Sequence, residues 1–292
     1  MSELLASPGG TRAVLERFGI RPRKKYGQNF LIDRSVIEDI IDAAQITRED
    51  VVLEIGPGIG TMTQLLSQAA GRVVAVEIDR SLEPVLDYTL EDCGNVTLHW
   101  NDILRTDLSA LRDEYNGGSP LKCVSNLPYS VTTPVLMQLL HEKGCFHSIT
   151  VMVQKEVAER MMAGAGNPEY GALSLAVRYY AEPEPVRVVE PACFVPRPGV
   201  DSEVLTLRIR ETQPVDADED FLFAIIRAAF NQRRKTLANA LSHGLGDSGH
   251  TITRGHIQTA LRGMGLPEDI RGEKLSLDQF ADLSRRLAPP PG

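Results

Sequence analysis

The 292 residues are 42% hydrophobic and 24% charged, with a formal net charge of −8. That length suits one large domain or a domain with an appendage; no apolar run approaches the roughly 20 residues of a membrane span, and residues 1–10 lack a secretory signal's basic-then-apolar pattern. The four cysteines, Cys93, Cys123, Cys145 and Cys193, stand singly and the six histidines show no metal-ligand spacing, which excludes a zinc cluster and points to reduced thiols in a cytoplasmic protein.

The negative total hides a basic start. Over residues 1–35, seven Arg or Lys face three Asp or Glu, and a second basic cluster, Arg227, Arg233, Arg234 and Lys235, lies toward the C-terminus. Two such patches on an acidic chain fit a focused contact with a polyanion. Residues 24–33 mix glycine, amides and apolar side chains in a way that suits no regular element. Ser35 and Glu38 have the spacing of a capping box, opening a helix whose apolar face is Val36, Ile37, Ile40, Ile41 and Ala44. A buried strand over 51–55 leads to a helix from about Thr61, with Met62, Leu65, Leu66 and Ala69 inward. Next come a strand over 73–76, a helix from about Ser81 and a strand over 96–100. A strand over 121–125, a helix over 134–141, a strand over 149–153 and helices over 155–162 and 171–180 follow. Strands alternating with helices imply a parallel sheet with right-handed crossovers. Residues 186–189 and 203–209 alternate apolar and polar, as antiparallel strands do.

The acidic stretch 211–219 has little to bury and reads as a linker. Beyond it the pattern is wholly helical, over 221–230, 236–241, 257–262 and 277–287, before a frayed tail at 289–292. The expected division is a basic arm over 1–34, an α/β domain over 35–211 and a helical domain over 212–292.

The stretch from Ser125 to Ser130 leaves the fourth strand of that sheet, where open α/β sheets bind ligands. Asn126 offers an amide that cannot take up a proton at neutral pH. Leu127 presents its carbonyl from an extended pre-proline conformation, and Pro128 adds a carbonyl without a competing N–H. Two such acceptors could hold the two hydrogens of an exocyclic amine, with the ring of Tyr129 stacked on its base. The plainer reading is a strand-to-helix turn bent by Pro128, with Asn126 bonding its own backbone.

Upstream, Gly56, Gly58 and Gly60 sit between the first strand and its helix, where glycines let backbone approach a ligand closely. Glu77 ends the second strand, 21 positions after Gly56, where a carboxylate can accept from both hydroxyls of a ribose. Asp102 follows the third strand and could accept from an adenine amine. A dinucleotide site wants its third glycine where Thr61 stands, and no second mononucleotide half follows. S-adenosylmethionine, with ribose, adenine and amino-acid tail but no phosphate, suits the ordered acids better.

At several points the chain resembles the KsgA family of ribosomal-RNA adenine dimethyltransferases. The resemblance rests on Gly27-Gln-Asn-Phe-Leu31, Glu54-Ile-Gly-Pro-Gly58, Glu77-Ile-Asp79, Asn126-Leu-Pro-Tyr129, Gln154-Lys-Glu156, Phe194-Val-Pro-Arg-Pro198 with Val200-Asp-Ser202, and Phe230-Asn-Gln-Arg-Arg-Lys235. It implies a Rossmann-like class I methyltransferase sheet with a smaller all-helical C-terminal domain. The activity it implies is transfer of methyl groups from S-adenosylmethionine to N6 of two adjacent adenosines in the 3′-terminal hairpin of small-subunit rRNA. The implied setting is ribosome biogenesis: an immature 30S-type subunit as partner, a monomeric enzyme, no membrane and no metal. It further implies that the basic arm closes over the cofactor through Gln28, Asn29 and Leu31. Gly56 and Gly58 line the cofactor, with Glu77 on the ribose and Asp102 on the adenine. Asn126, Leu127, Pro128 and Tyr129 form the catalytic corner, where Asn126 also meets the cofactor. Phe194 stacks on the target base, and Arg233, Arg234 and Lys235 contact RNA. Glu54 and Asp79 read as shaping strand ends. Three alternatives remain: a large-subunit rRNA methyltransferase, a non-catalytic assembly or transcription factor on the same fold, and a nicotinamide-linked oxidoreductase. Leu127, where large-subunit enzymes have Asn-Ile-Pro, and the long helical C-terminal part argue against the first.

Overall fold

The computed structural model describes residues 5–23, 26–245 and 252–288. Lys24 and Lys25 of the basic arm and the expected tail at 289–292 lie outside the described residues. The chain divides into two compact units, one of residues up to Ala158 with Glu182–Ile209, the other of Glu159–Ala181 with residues from Arg210 on.

The first unit opens on α1 (Pro8–Arg17), where sequence patterning showed only a charged arm. Ser7 caps it, accepting from the Gly10 N–H, and Pro8 takes the first turn, where a missing N–H costs nothing. The helix is docked. Leu5, Val14 and Leu15 join a buried cluster with Leu82, Val85 and Leu86, and the Arg17 guanidinium sits 4.0 Å over the Tyr88 ring.

After β1 (Phe30–Leu31) comes α2 (Arg34–Ala43). Its cap is Asp33, which accepts from both the N–H and the hydroxyl of Ser35. The expected Ser35 cap is displaced because a carboxylate one turn-start earlier is the stronger acceptor, and Glu38 instead pairs with Arg34 at 2.7 Å.

The main sheet then builds from β2 (Val51–Ile55), α3 (Thr61–Ala69), β3 (Arg72–Glu77), α4 (Glu83–Thr89), β4 (Val96–Trp100), α5 (Leu108–Asn116), β5 (Leu121–Asn126), α6 (Thr132–His141) and β6 (Phe146–Gln154). Helix α5 was invisible in the sequence because it buries only Leu108 and Leu111. After α7 (Lys155–Met162) and α8 (Ala172–Tyr180) the sheet is completed by β7 (Ala181–Val189) and β9 (Ser202–Ile209), with β8 (Phe194–Val195) between them in sequence. Strand order is β4-β3-β2-β5-β6-β9-β7. The ladders β4–β3–β2–β5–β6 are parallel, and β9 runs antiparallel to β6. The order reverses between β2 and β5, which opens a crevice at their carboxyl ends. Apart from the main sheet, β1 and β8 pair as a two-stranded antiparallel ribbon, Leu31 opposite Phe194.

The second unit is helical: α9 (Glu219–Asn231), α10 (Leu237–Gly244), α11 (Arg254–Gly263) and α12 (Leu277–Leu287), joined by α8. Residues 159–181 thus group with the C-terminal helices, where the sequence reading began that unit at 212. Side-chain chemistry explains the grouping. The Tyr179 and Tyr180 hydroxyls donate to Glu219, Tyr180 stacks on Phe223, and the Tyr170 hydroxyl donates to the Leu275 carbonyl. Among the described residues no helix is long and apolar enough to cross a membrane.

Candidate active site

Beyond the Leu53–Cys123 pair the β2–β5 ladder ends, and the Ser125 hydroxyl accepts the Ile55 N–H at 2.8 Å instead. The strands part there. A cavity of about 290 Å³ occupies the gap, walled by the Gly56–Gly58 turn, the ends of β3 and β4, the Asn126–Tyr129 corner and residues 26–31. The backbone of 56–58 needs glycine on two counts. Gly58 has φ +61, and a Cβ there would stand 3.1 Å from the Phe30 ring.

Three carboxylates line this cavity, Glu54, Glu77 and Asp102, and no Lys, Arg or His is among the described lining residues. Glu77 is 5% exposed and accepts from the Gly58 N–H (3.2 Å) and the Asp79 N–H (2.8 Å). Each oxygen keeps a second lone pair for a ligand hydroxyl. Burial raises its pKa, while those two N–H groups favour the ionised form. Glu54, read from sequence as a strand-end residue, is fully buried and its Oε2 has no hydrogen-bond partner, as is true of Thr61 Oγ1 nearby. Burial pushes the Glu54 carboxyl up to about 8; the Thr63 hydroxyl opposes the shift and the Glu77 charge adds to it. An orphaned buried carboxyl at a cavity wall invites a cationic ligand. Asp102 caps the turn that follows it, its Oδ1 accepting from the Leu104 N–H at 3.0 Å. Ile78 and Leu104, 48% and 40% exposed, present apolar surface to the same cavity.

At the Asn126 corner, the side-chain amide nitrogen donates to the Asn29 carbonyl at 3.3 Å, leaving Oδ1 as the available end. No hydrogen bond reaches Asn126 Oδ1 or the Leu127 carbonyl among the described residues. The Pro128 carbonyl differs from expectation. It already accepts from the Val131 N–H (3.1 Å) and the Thr132 hydroxyl (3.0 Å), so both lone pairs serve the start of α6. The acceptor pair for an amine is therefore Asn126 Oδ1 with the Leu127 carbonyl. Tyr129 is half-buried, and its hydroxyl meets Ser202 Oγ at 2.5 Å. Ser202, fully buried on β9, closes the Val200-Asp-Ser202 motif, and its hydroxyl anchors the ring expected to stack on the base.

Two other expected residues are placed differently. Phe194 is 1% exposed and packs with Leu31, Val36, Ile37 and Val204. Its pairing across the β1–β8 ribbon turns it into the core, and it does not line the cavity. Gln28, Asn29 and Leu31 do line the cavity, but both ends of the Gln28 amide are engaged, Nε2 with Asp79 and Oε1 with the Arg23 N–H. In the helical unit Arg233 donates to the Pro168 and Tyr170 carbonyls, fastening a loop, while Arg234 and Lys235 are exposed.

A diphosphate would meet three carboxylates and no countercharge here, whereas a cationic nucleoside meets complementary charge, ribose and adenine acceptors and apolar flanks. The sheet order and this cavity define a class I S-adenosylmethionine-dependent methyltransferase. The sequence pattern of ribosomal RNA adenine dimethylases extends over residues 19–287, and the chain belongs to that family, an S-adenosylmethionine-dependent rRNA adenine dimethyltransferase. Ribosomal RNA small subunit methyltransferase A of Lachnoclostridium phytofermentans is 51% identical over 282 residues, 96% of each chain. The protein of the same name from Alkaliphilus metalliredigens is 45% identical over 97% of this chain and 98% of its own. Among solved structures, a dimethyladenosine transferase from Plasmodium falciparum superposes with a TM-score of 0.72 over 87% of this chain and 95% of that one. The 23S rRNA methyltransferase ErmE gives 0.65 over 89% and 99%. Both are 24% identical and bear on the fold alone.

Proposed function

We propose that this enzyme dimethylates N6 of two adjacent adenosines in the 3′-terminal hairpin of small-subunit rRNA, acting as a cytoplasmic monomer on an immature 30S-type subunit. The observation that carries the chemistry is the pairing, at one switch point, of an all-acidic nucleoside cavity with two unclaimed oxygen acceptors, Asn126 Oδ1 and the Leu127 carbonyl. The choice of the small subunit is supported by the names of the relatives that cover nearly the whole chain. Cytoplasmic residence is supported by four free cysteines.

S-adenosylmethionine, when bound, supplies a methyl group already activated by its sulfonium. Glu77 would hold its ribose, Asp102 its adenine and Glu54 the ammonium of its tail. The remaining task falls to the protein. The N6 lone pair is delocalised into the purine, and two acceptors facing its two hydrogens favour a pyramidal nitrogen and stabilise the positive charge that develops there. Asn126 suits this because an amide oxygen stays an acceptor at any working pH. Tyr129, fixed by Ser202, would replace roughly 1–3 kcal/mol of stacking lost when the base leaves its helix. Alignment of the two reactants supplies much of the rest.

The test is to incubate the enzyme with labelled S-adenosylmethionine and unmethylated small subunits, then map the label by mass spectrometry. Two dimethylated neighbouring adenosines near the 3′ end are expected. Label in large-subunit rRNA, or at another small-subunit position, would overturn the reading.

A further inference from the structure

Asp79 stands two residues past the ribose acid and is 3% exposed. Its carboxylate gathers donors from two parts of the chain. Oδ1 accepts from Arg23 Nη1 at 3.0 Å and from the hydroxyl (2.7 Å) and N–H (3.2 Å) of Ser81; Oδ2 accepts from Gln28 Nε2 at 3.0 Å. Its own N–H donates to Glu77 Oε1 at 2.8 Å. Burial works to raise the Asp79 pKa, but the Ser81 and Gln28 hydrogen bonds and the Arg23 charge hold its carboxyl below the usual range. The segment it grips reaches the other reactant's corner. Gly27, at φ +63, lies so close to Tyr129 that a Cβ would stand 3.2 Å from the Tyr129 nitrogen, and the Asn29 carbonyl accepts from Asn126. Residues 27–29 thus touch both the ribose acid's neighbour, through Gln28, and the amine-binding corner, through Gly27 and Asn29.

We infer that Asp79 is a positioning residue: through Arg23 and Gln28 it latches residues 26–30 at the cavity, coupling cofactor occupancy at Glu77 to the shape of the Asn126–Tyr129 corner. This rests on the reading of the cavity as the S-adenosylmethionine site. A ligand hydroxyl on Glu77 tightens the carboxylate whose other oxygen holds the Asp79 backbone, and the latch closes on Gln28 and Arg23. The Arg23–Asp79 pair is half in solvent and contributes little alone; Gln28, donating to a nearly buried carboxylate, contributes more.

The experiment uses S-adenosylhomocysteine and the full-length enzyme, with calorimetric affinity, limited trypsin digestion and small-subunit methylation as readouts. Arg21 precedes Pro22 and resists trypsin, so cleavage at 23–25 reports the segment. In wild type the ligand should slow that cleavage. Asp79→Asn should weaken S-adenosylhomocysteine roughly tenfold, and Gln28→Ala, at a half-buried loop position, roughly fivefold, the loss of one hydrogen bond to a charge. Both should abolish ligand-dependent protection and lower kcat as well as raise KM. Gln28→Ala should cost less in the Asp79→Asn background than in wild type, since both weaken the Gln28–Asp79 contact. Wild-type protection and affinity in either variant, or additive losses in the double variant, would overturn the latch while leaving the cavity assignment standing. A wild-type enzyme that fails to bind S-adenosylhomocysteine would instead remove the reading beneath it.

Discussion

The hydroxyl of Tyr129 and Oγ of Ser202 lie 2.5 Å apart, joining the aromatic ring beside the reactive amide to a fully buried residue on the antiparallel strand β9. That contact holds the far end of the ring against the antiparallel part of the sheet. Ser202→Ala should remove that anchor and leave the ring free to swing away. A single such hydrogen bond is worth about 1 kcal/mol, so kcat on small subunits should fall roughly fivefold, with affinity for S-adenosylhomocysteine unchanged. Tyr129→Phe should match it, and the double variant should be no worse than either. A change in cofactor affinity without a change in kcat would show that the pair serves the cavity instead.

Among the described residues the Asn126 side chain is held by one hydrogen bond, through its amide nitrogen, and it lines the crevice. Asn126→Ala should therefore abolish methylation while leaving S-adenosylhomocysteine binding within a few-fold. Single-turnover assays at saturating cofactor separate the two quantities. Retained turnover would transfer the role to the Leu127 carbonyl alone.

Glu54 gives a pH signature. Its folded pKa of about 8 lies above its ordinary 4.5 because burial penalises the charge. A carboxyl shifted upward binds its proton more tightly when folded, so its contribution to stability is complete below pH 4.5 and is lost as pH rises toward 8. The wild-type urea midpoint, without cofactor, should fall between about pH 5.5 and 8.5. Glu54→Gln, which never ionises, should show a flatter dependence and exceed wild type at the alkaline end. Parallel curves for the two proteins would assign the buried charge elsewhere.

Phe194 separates core from platform. The family resemblance implied a base-stacking ring, but the structure seals it under the β1–β8 ribbon at 1% exposure. Phe194→Ala should cost about 3–5 kcal/mol of stability, as buried aromatic deletions do, and Phe194→Leu far less. If Phe194→Ala kept its urea midpoint and lost only kcat, the ring would have to leave the core during catalysis.

Where hydrophobic periodicity was strong the sequence was easy to read. Strands 51–55 and 96–100 and helices 155–162 and 277–287 have the boundaries that the alternation of apolar residues implied. The acids at strand ends were legible too, because Glu77 and Asp102 fall where a parallel sheet must bring them to one edge. What stayed hidden depends on contacts between distant residues. Helix α1 looks charged until Leu5, Val14 and Leu15 find α4. Residues 159–181 look like part of the sheet domain until Tyr179 and Tyr180 meet Glu219. The same holds at the site: nothing local says that the Pro128 carbonyl is taken by Val131 and Thr132, or that Ser202 reaches Tyr129.

The last expectation concerns the basic run at 233–235, read from sequence as one RNA contact. Its members differ. The Arg233 guanidinium reaches across 65 positions to the Pro168 carbonyl at 2.7 Å and to the Tyr170 carbonyl at 3.0 Å, whereas neither Arg234 nor Lys235 has a side-chain partner among the described residues. A guanidinium holding two carbonyls is worth more to the fold than to a phosphate, and a free exposed cation the reverse. Arg233→Ala should therefore lower the urea midpoint and leave the salt dependence of RNA binding as it was. Arg234→Ala with Lys235→Ala should leave stability unchanged, weaken binding to small subunits, and reduce the slope of log K against log salt by roughly 1 to 2 for two lost phosphate contacts. Filter binding over a salt series measures the slope directly. An unaltered slope in the double variant would place the polyanion contact on other cations, of which the basic residues at the start of the chain are the next to test.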